Sequence, residues 1–174
     1  MIQAQIRQML RAKWVIFYGA FFSLLEWTLF WLTGSSEKTM IGLTEATLFL
    51  VPLVTLLFTI TYVYQQKEFL SFLMVSPIAR ITLYLSIYIG VASILSLCLF
   101  IGTSISAIFI SSNYEFLSLL FIEQIGLTFS MTAIGLWLAF RYPDRTIGFG
   151  MGLLFWMCLA ILYDGLILFL TFYF

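Results

Sequence analysis

The run IGLTEATLFLVPLVTLLFTITYVY, from Ile41 to Tyr64, decides the fold class. Its only formal charge is Glu45, and its apolar residues follow one another without the alternation of a strand. A helix needs about 20 predominantly apolar residues to cross a bilayer, and this run meets that length. Four further stretches read the same way: Trp14–Thr33, Ile81–Ser111, Leu117–Phe140 and Ile147–Phe174. Continuous runs argue against a transmembrane β-barrel, whose strands alternate apolar and polar positions. The first run has too long an apolar core for a signal peptide, and no small-residue cleavage site precedes Gly34.

Composition agrees. The chain has 174 residues, of which 63% are hydrophobic, 19% aromatic and only 9% charged; a soluble domain is about 25% charged. Mean hydropathy is +1.09. These values exclude a soluble globular domain, a disordered tail and a disulfide scaffold. The expected fold is an all-α polytopic membrane protein with about five transmembrane helices and an amphipathic N-terminal helix. It forms a single transmembrane domain over residues 1–174. Eight basic and eight acidic residues leave no net charge and give no basic surface for nucleic acid. Histidine is absent, which removes the commonest general base and metal ligand. Cys98 and Cys158 sit inside apolar runs without metal-ligand spacing and read as two buried small hydrophobes.

Short breaks separate the spans: Gly34–Lys38, Gln65–Arg80 (with Pro77), Ser112–Glu115 and Arg141–Arg145. Arg7, Arg11, Lys13, Lys67, Arg80, Arg141 and Arg145 then fall on one side, and Lys38 alone on the other. The positive-inside rule puts the N-terminus in the cytoplasm and the C-terminus outside, in a cell inner membrane. Residues 1–13, MIQAQIRQMLRAK, place Ile2, Ile6, Met9 and Leu10 at helical spacing, with Gln3, Arg7 and Arg11 on another side. They read as a basic amphipathic helix on the membrane lipid, or as a plain topogenic flank. The 65–80 loop, QQKEFLSFLMVSPIAR, is too long for a tight turn and too apolar for a solvated loop. It reads either as an aromatic surface offered to a cytoplasmic partner or as an interfacial helix on headgroups, ended before Pro77.

Glu26, Glu45, Glu123 and Asp164 fall within apolar runs. A charge at the centre of a spanning helix costs about 2.5–3.5 kcal/mol or more. All four lie in the middle-to-outer half, with Glu45 and Glu123 only a few residues in from the outer ends. Two readings stand: an acidic outward-facing cavity that handles cations or docks a partner, and interhelical hydrogen bonding with shallow snorkelling. Met40, Met151, Met157 and Cys158 offer soft ligands suited to Cu(I), but no Met-x-x-Met or Cys-x-x-Cys pair exists, and packing is the better account of them. Gly148 and Gly152 form a Gly-x-x-x-Gly pair, which reads as close helix packing. With no histidine, no Ser-His-Asp or Cys-His arrangement exists, and no catalytic residue is assigned.

Several stretches combine into a family likeness. After the basic N-terminus and two spans come Gln66-Lys67-Glu68-Phe69 and Pro77-Ile78-Ala79-Arg80, then Leu83-Tyr84-Leu85-Ser86-Ile87-Tyr88-Ile89-Gly90. Arg141 and Arg145 follow span four, and span five carries Gly148–Trp156 and Leu162-Tyr163-Asp164. This resembles ABC-2-type transporter permeases, most closely their NosY-like branch, which is associated with multicopper-enzyme maturation, notably assembly of the copper centre of nitrous oxide reductase. The resemblance runs along nearly the whole chain. It implies a non-catalytic homodimeric membrane subunit. Its partners would be a NosF-like cytoplasmic ABC ATPase and a NosD-like periplasmic protein. ATP and Mg would sit on that partner ATPase, with no cofactor or metal in this chain. The likeness makes residues 1–13 the elbow helix, and Lys67, Glu68, Phe69, Pro77 and Arg80 the ATPase-coupling loop. Asp164 matches the acid of the family's fifth span. Family members have six spans where five are counted here, the family continuing past the position of Phe174. Two other classes remain as expectations: a stand-alone ion or proton carrier working through the intramembrane acids, and a structural anchor for a periplasmic complex.

Overall fold

The computed structural model describes residues 13–67, 80–110 and 114–173. They form five helices and, among the described residues, no strand: α1 Lys13–Thr33, α2 Ser36–Gln65, α3 Arg80–Ile110, α4 Tyr114–Arg141 and α5 Arg145–Tyr173. The chain is an all-α polytopic membrane protein. Stretches of α2, α3, α4 and α5 are long and apolar enough to cross a bilayer. The fifth expected span falls on α1, whose 21 residues reach about 31 Å at 1.5 Å per residue.

α1, α2, α4 and α5 are longer than the expected spans, and the first and last breaks shorter. The first break shrinks to Gly34 and Ser35. Gly34 adopts φ +62° and its N–H reaches Phe30 O at 2.9 Å, the left-handed cap that glycine makes without strain. Ser35 is extended at the start of α2, and Glu37 lies in the first turn, where a carboxylate suits the positive end of the helix. The polar Ser36–Thr39 stretch therefore folds into the helix instead of looping. The last break is Tyr142–Asp144. Pro143 bars Tyr142 from continuing α4, and the Asp144 carbonyl accepts the Gly148 N–H at 3.0 Å to start α5. Pro52 lies inside α2, tolerated because neighbouring helices cover the freed carbonyl region.

α2 is the hub and touches every other helix, most extensively α4; α1 packs chiefly on α3, α3 also on α4, and α5 on α2 and α4. Contacts along the helices fix their directions. Tyr84 meets Phe140 and Phe100 meets Phe121, so α3 and α4 are antiparallel. Phe49 meets Trp156 edge-on at 4.6 Å, with the indole Nε1 donating to Phe49 O at 3.1 Å, so α2 and α5 are antiparallel too. Lys67, Arg80, Arg141 and Arg145 thus gather at one end of the bundle, the basic end, and Lys38 lies at the other, the far end.

Small residues set the tightest contacts. A Cβ on Gly102 would meet the backbone of Gly19, and one on Gly19 would lie 2.9 Å from Cys98 O, so α1 and α3 approach backbone to backbone. Between α2 and α4 the contact is a seam of threonines. Thr59 donates to Thr55 O at 2.7 Å, Thr128 to Gln124 O at 2.7 Å and Thr132 to Thr128 O at 2.6 Å. Each hydroxyl is satisfied within its own helix, which leaves the methyl groups to pack. Large side chains cover the outside, Trp31 being 86% exposed; in a bilayer this surface faces lipid. That reverses the expectation for Cys158, which is exposed on α5 while Cys98 is half-buried. An apolar run does not distinguish the helix face toward the core from the face toward lipid.

Candidate functional site

Two regions carry polar chemistry: a latch at the basic end and a buried polar layer nearer the far end. The latch joins the end of α2 to the α4–α5 turn. The Tyr64 hydroxyl donates to Tyr142 O at 2.6 Å, with Asp144 O a second acceptor at 3.1 Å. One turn on, Lys67 Nζ donates to Pro143 O at 2.6 Å and lies 5.7 Å from the centroid of the Tyr64 ring. Asp144 O already receives the Gly148 N–H; Tyr64 and Lys67 supply donors to Tyr142 O and Pro143 O, carbonyls at a helix end that no helix N–H reaches. Gly148 makes room for the phenol, because a Cβ there would lie 2.6 Å from the Tyr64 hydroxyl. Gly152 likewise admits Leu56 and Ile60 of α2, while nothing approaches Gly150. The Gly-x-x-x-Gly expectation is thereby met, with α2 as the partner.

Of the expected coupling residues, Lys67 is the one whose contacts are described. Arg80 opens α3, but its side chain lies outside the described part. Glu68, Phe69 and Pro77 lie outside the described residues, as does the amphipathic segment up to Ala12. Arg141, Asp144 and Arg145 are exposed around the latch.

The structure separates the intramembrane acids. Glu26 is 0% exposed inside the bundle, on the same face of α1 as Tyr18 and Phe22. Glu45 is exposed on α2, on the face of Ile41 and Phe49, and Glu123 is half-buried on α4. Asp164 belongs to α5, and its side chain lies outside the described part. Glu26 and Glu45 differ in burial, the one inside the bundle and the other on its outside. Glu45 and Glu123 fall in the far-end halves of α2 and α4. Because α2 begins at Ser36 and α4 at Tyr114, each lies about 14 Å from its helix start. The soft ligands separate similarly: Met40 is buried, Met157 and Cys158 exposed. Among the described residues no group of three or more acids or thiols is placed to hold a metal ion.

Gln124 escaped the sequence reading. It is 2% exposed, and neither its amide oxygen nor its amide nitrogen has a hydrogen-bond partner among the described residues. Beside it, Glu123 Oε1 is buried without a partner among them. Tyr18 of α1 and Thr55 of α2 face each other with hydroxyls that close no bond of good geometry. Each such group costs about 1–3 kcal/mol when no partner or water reaches it. A single glutamine in an apolar run carries no sequence signal of its own; only the α4 register, which turns Gln124 toward α2, reveals it. No protein-family model and no curated protein matches the chain.

Proposed function

We propose that this chain is a non-catalytic, membrane-spanning permease subunit of an ABC transporter. It couples ATP hydrolysis on a separate cytoplasmic ATPase to transport or mechanical work across the membrane. The reading follows the resemblance to NosY-like ABC-2 permeases, which carries with it a second copy of the chain, a periplasmic partner and a role in copper-enzyme maturation. The basic end is then cytoplasmic, the 65–80 loop is the ATPase footing, and residues 1–13 lie along the inner membrane surface. The observation that supports it best is the latch. The end of α2 that leads into the loop is bonded to the α4–α5 turn, so a displacement of the loop is passed to α2, α4 and α5 together.

The test is coupling. In the complex purified with its ATPase, Glu68→Ala and Phe69→Ala should abolish the permease-dependent part of ATP hydrolysis while the bundle keeps its melting temperature. Full coupled activity in both variants would overturn the loop assignment.

The complete burial of Glu26 favours a second reading, a stand-alone ion or proton carrier. It requires flux in liposomes that hold this chain alone, lost in Glu26→Gln; absence of flux there removes it.

A further inference from the structure

The latch gathers cations round the α4–α5 turn. Lys67 Nζ lies 2.6 Å from Pro143 O. Arg141 ends α4 and Arg145 starts α5, each two residues from Pro143 along the chain. Neighbouring Cα atoms stand about 3.8 Å apart, so both arginine Cα atoms lie within about 7.6 Å of the Cα of Pro143. All three cations are exposed, and Asp144, exposed on the same turn, is a single carboxylate among them. Tyr64 holds that turn through Tyr142 O and Asp144 O, so the backbone that carries the arginines is fixed. Apolar side chains begin directly beside them. Phe140 and Ile147 are exposed, and so is Trp137, one turn before Arg141 on the same face of α4. The stretches Leu117–Arg141 and Arg145–Tyr163, which contain these residues, are long and apolar enough to cross a bilayer. The turn between them thus lies where the hydrocarbon ends and the headgroups begin.

We propose that the α4–α5 turn docks an anionic phospholipid headgroup of the leaflet at the basic end. A guanidinium is a planar fork that matches two phosphate oxygens at once, and Arg141 and Arg145 bring one fork from each side of the turn. The Lys67 ammonium has three donors, of which Pro143 O takes one, so its charge and its other donors stand beside them. Asp144 lowers the positive charge of the turn without reversing it. The flanking Trp137, Phe140 and Ile147 select a lipid over a free phosphate, because they run beside acyl chains that a free anion lacks. Trp137 also suits that level, its indole being apolar in body and polar at one edge. The same three side chains favour lipid over a soluble protein partner, which the hydrocarbon beside them excludes. The site belongs to the chain alone and stands independently of any ATPase partner.

The test is lipid retention by the full chain. The chain is purified in a neutral detergent, washed free of lipid, mixed with phosphatidylglycerol or phosphatidylcholine, and weighed by native mass spectrometry. Phosphatidylglycerol should be held at least about tenfold more tightly than phosphatidylcholine. Arg141→Gln combined with Arg145→Gln should lose that preference, and Lys38→Gln, at an exposed cation of the far end, should keep it. Equal retention of the two lipids overturns the site. Full preference in the double variant does so too, and is the result expected if a protein covers the two arginines instead. Displacement of the lipid by millimolar inorganic phosphate overturns the lipid as occupant. A measurement on the unsubstituted chain covers a misfolded double variant. With arginine side chains labelled with ¹⁵N in bilayers that contain phosphatidylglycerol, the guanidinium signals missing from Arg141→Lys and from Arg145→Lys should receive magnetisation from lipid ³¹P. No transfer to either signal overturns the site as well.

Discussion

At the residue scale the fold depends on where a side chain is absent. Gly19 and Gly102 bring the α1 and α3 backbones together, and the atoms an added methyl would strike are backbone atoms, which cannot rotate aside. Gly19→Ala and Gly102→Ala should therefore each cost about 1–3 kcal/mol and lower the melting temperature in detergent. Gly126→Ala and Gly150→Ala, where nothing lies within 4 Å, should be neutral or gain up to about 1 kcal/mol, because alanine is the better helix former. Equal effects at all four positions would contradict the close approach of α1 to α3. The same scale marks the limit of what the sequence showed. Gly148 and Gly152 were legible because their spacing is a known packing signature. Gly19 and Gly102 lie on different helices and show their relation only once the helices are docked, and Gln124 shows itself only once one face of α4 is covered.

At the scale of elements, five apolar runs became five helices, since length and hydropathy alone determine which segments can span a bilayer. The boundaries moved outward for local reasons. Glu37 in the first turn of α2 favours a helix start that a count of apolar residues does not register. The latch is the element-scale feature with the most consequence. It was invisible in sequence because the acceptors are backbone carbonyls, and Tyr142 lies 78 residues beyond Tyr64 in the chain. Tyr64→Phe removes the hydroxyl and leaves the ring, at a cost of about 0.5–1.5 kcal/mol. Hydrogen exchange of amides 142–148 should then quicken while the middle of α4 keeps its protection. Lys67→Met should do the same more weakly, since Lys67 is exposed to solvent. Unchanged exchange in both variants would show that the turn holds without them.

At the scale of the whole molecule, the described residues place Lys67, Arg141 and Arg145 with Asp144 at one end, Lys38 at the other, Glu26, Glu45 and Glu123 at different burials along the helices, and large apolar side chains over the outside. That arrangement suits a protein that lies across a membrane, and in the proposed function its basic end presents itself to a cytoplasmic partner. What it presents itself to is the central claim, and purification from native membranes tests it most directly. A tagged chain, extracted in mild detergent and analysed by mass spectrometry, should bring an ABC ATPase with it in roughly stoichiometric amount. A chain that elutes alone, at the mass of a monomer or small homo-oligomer, would contradict the permease account.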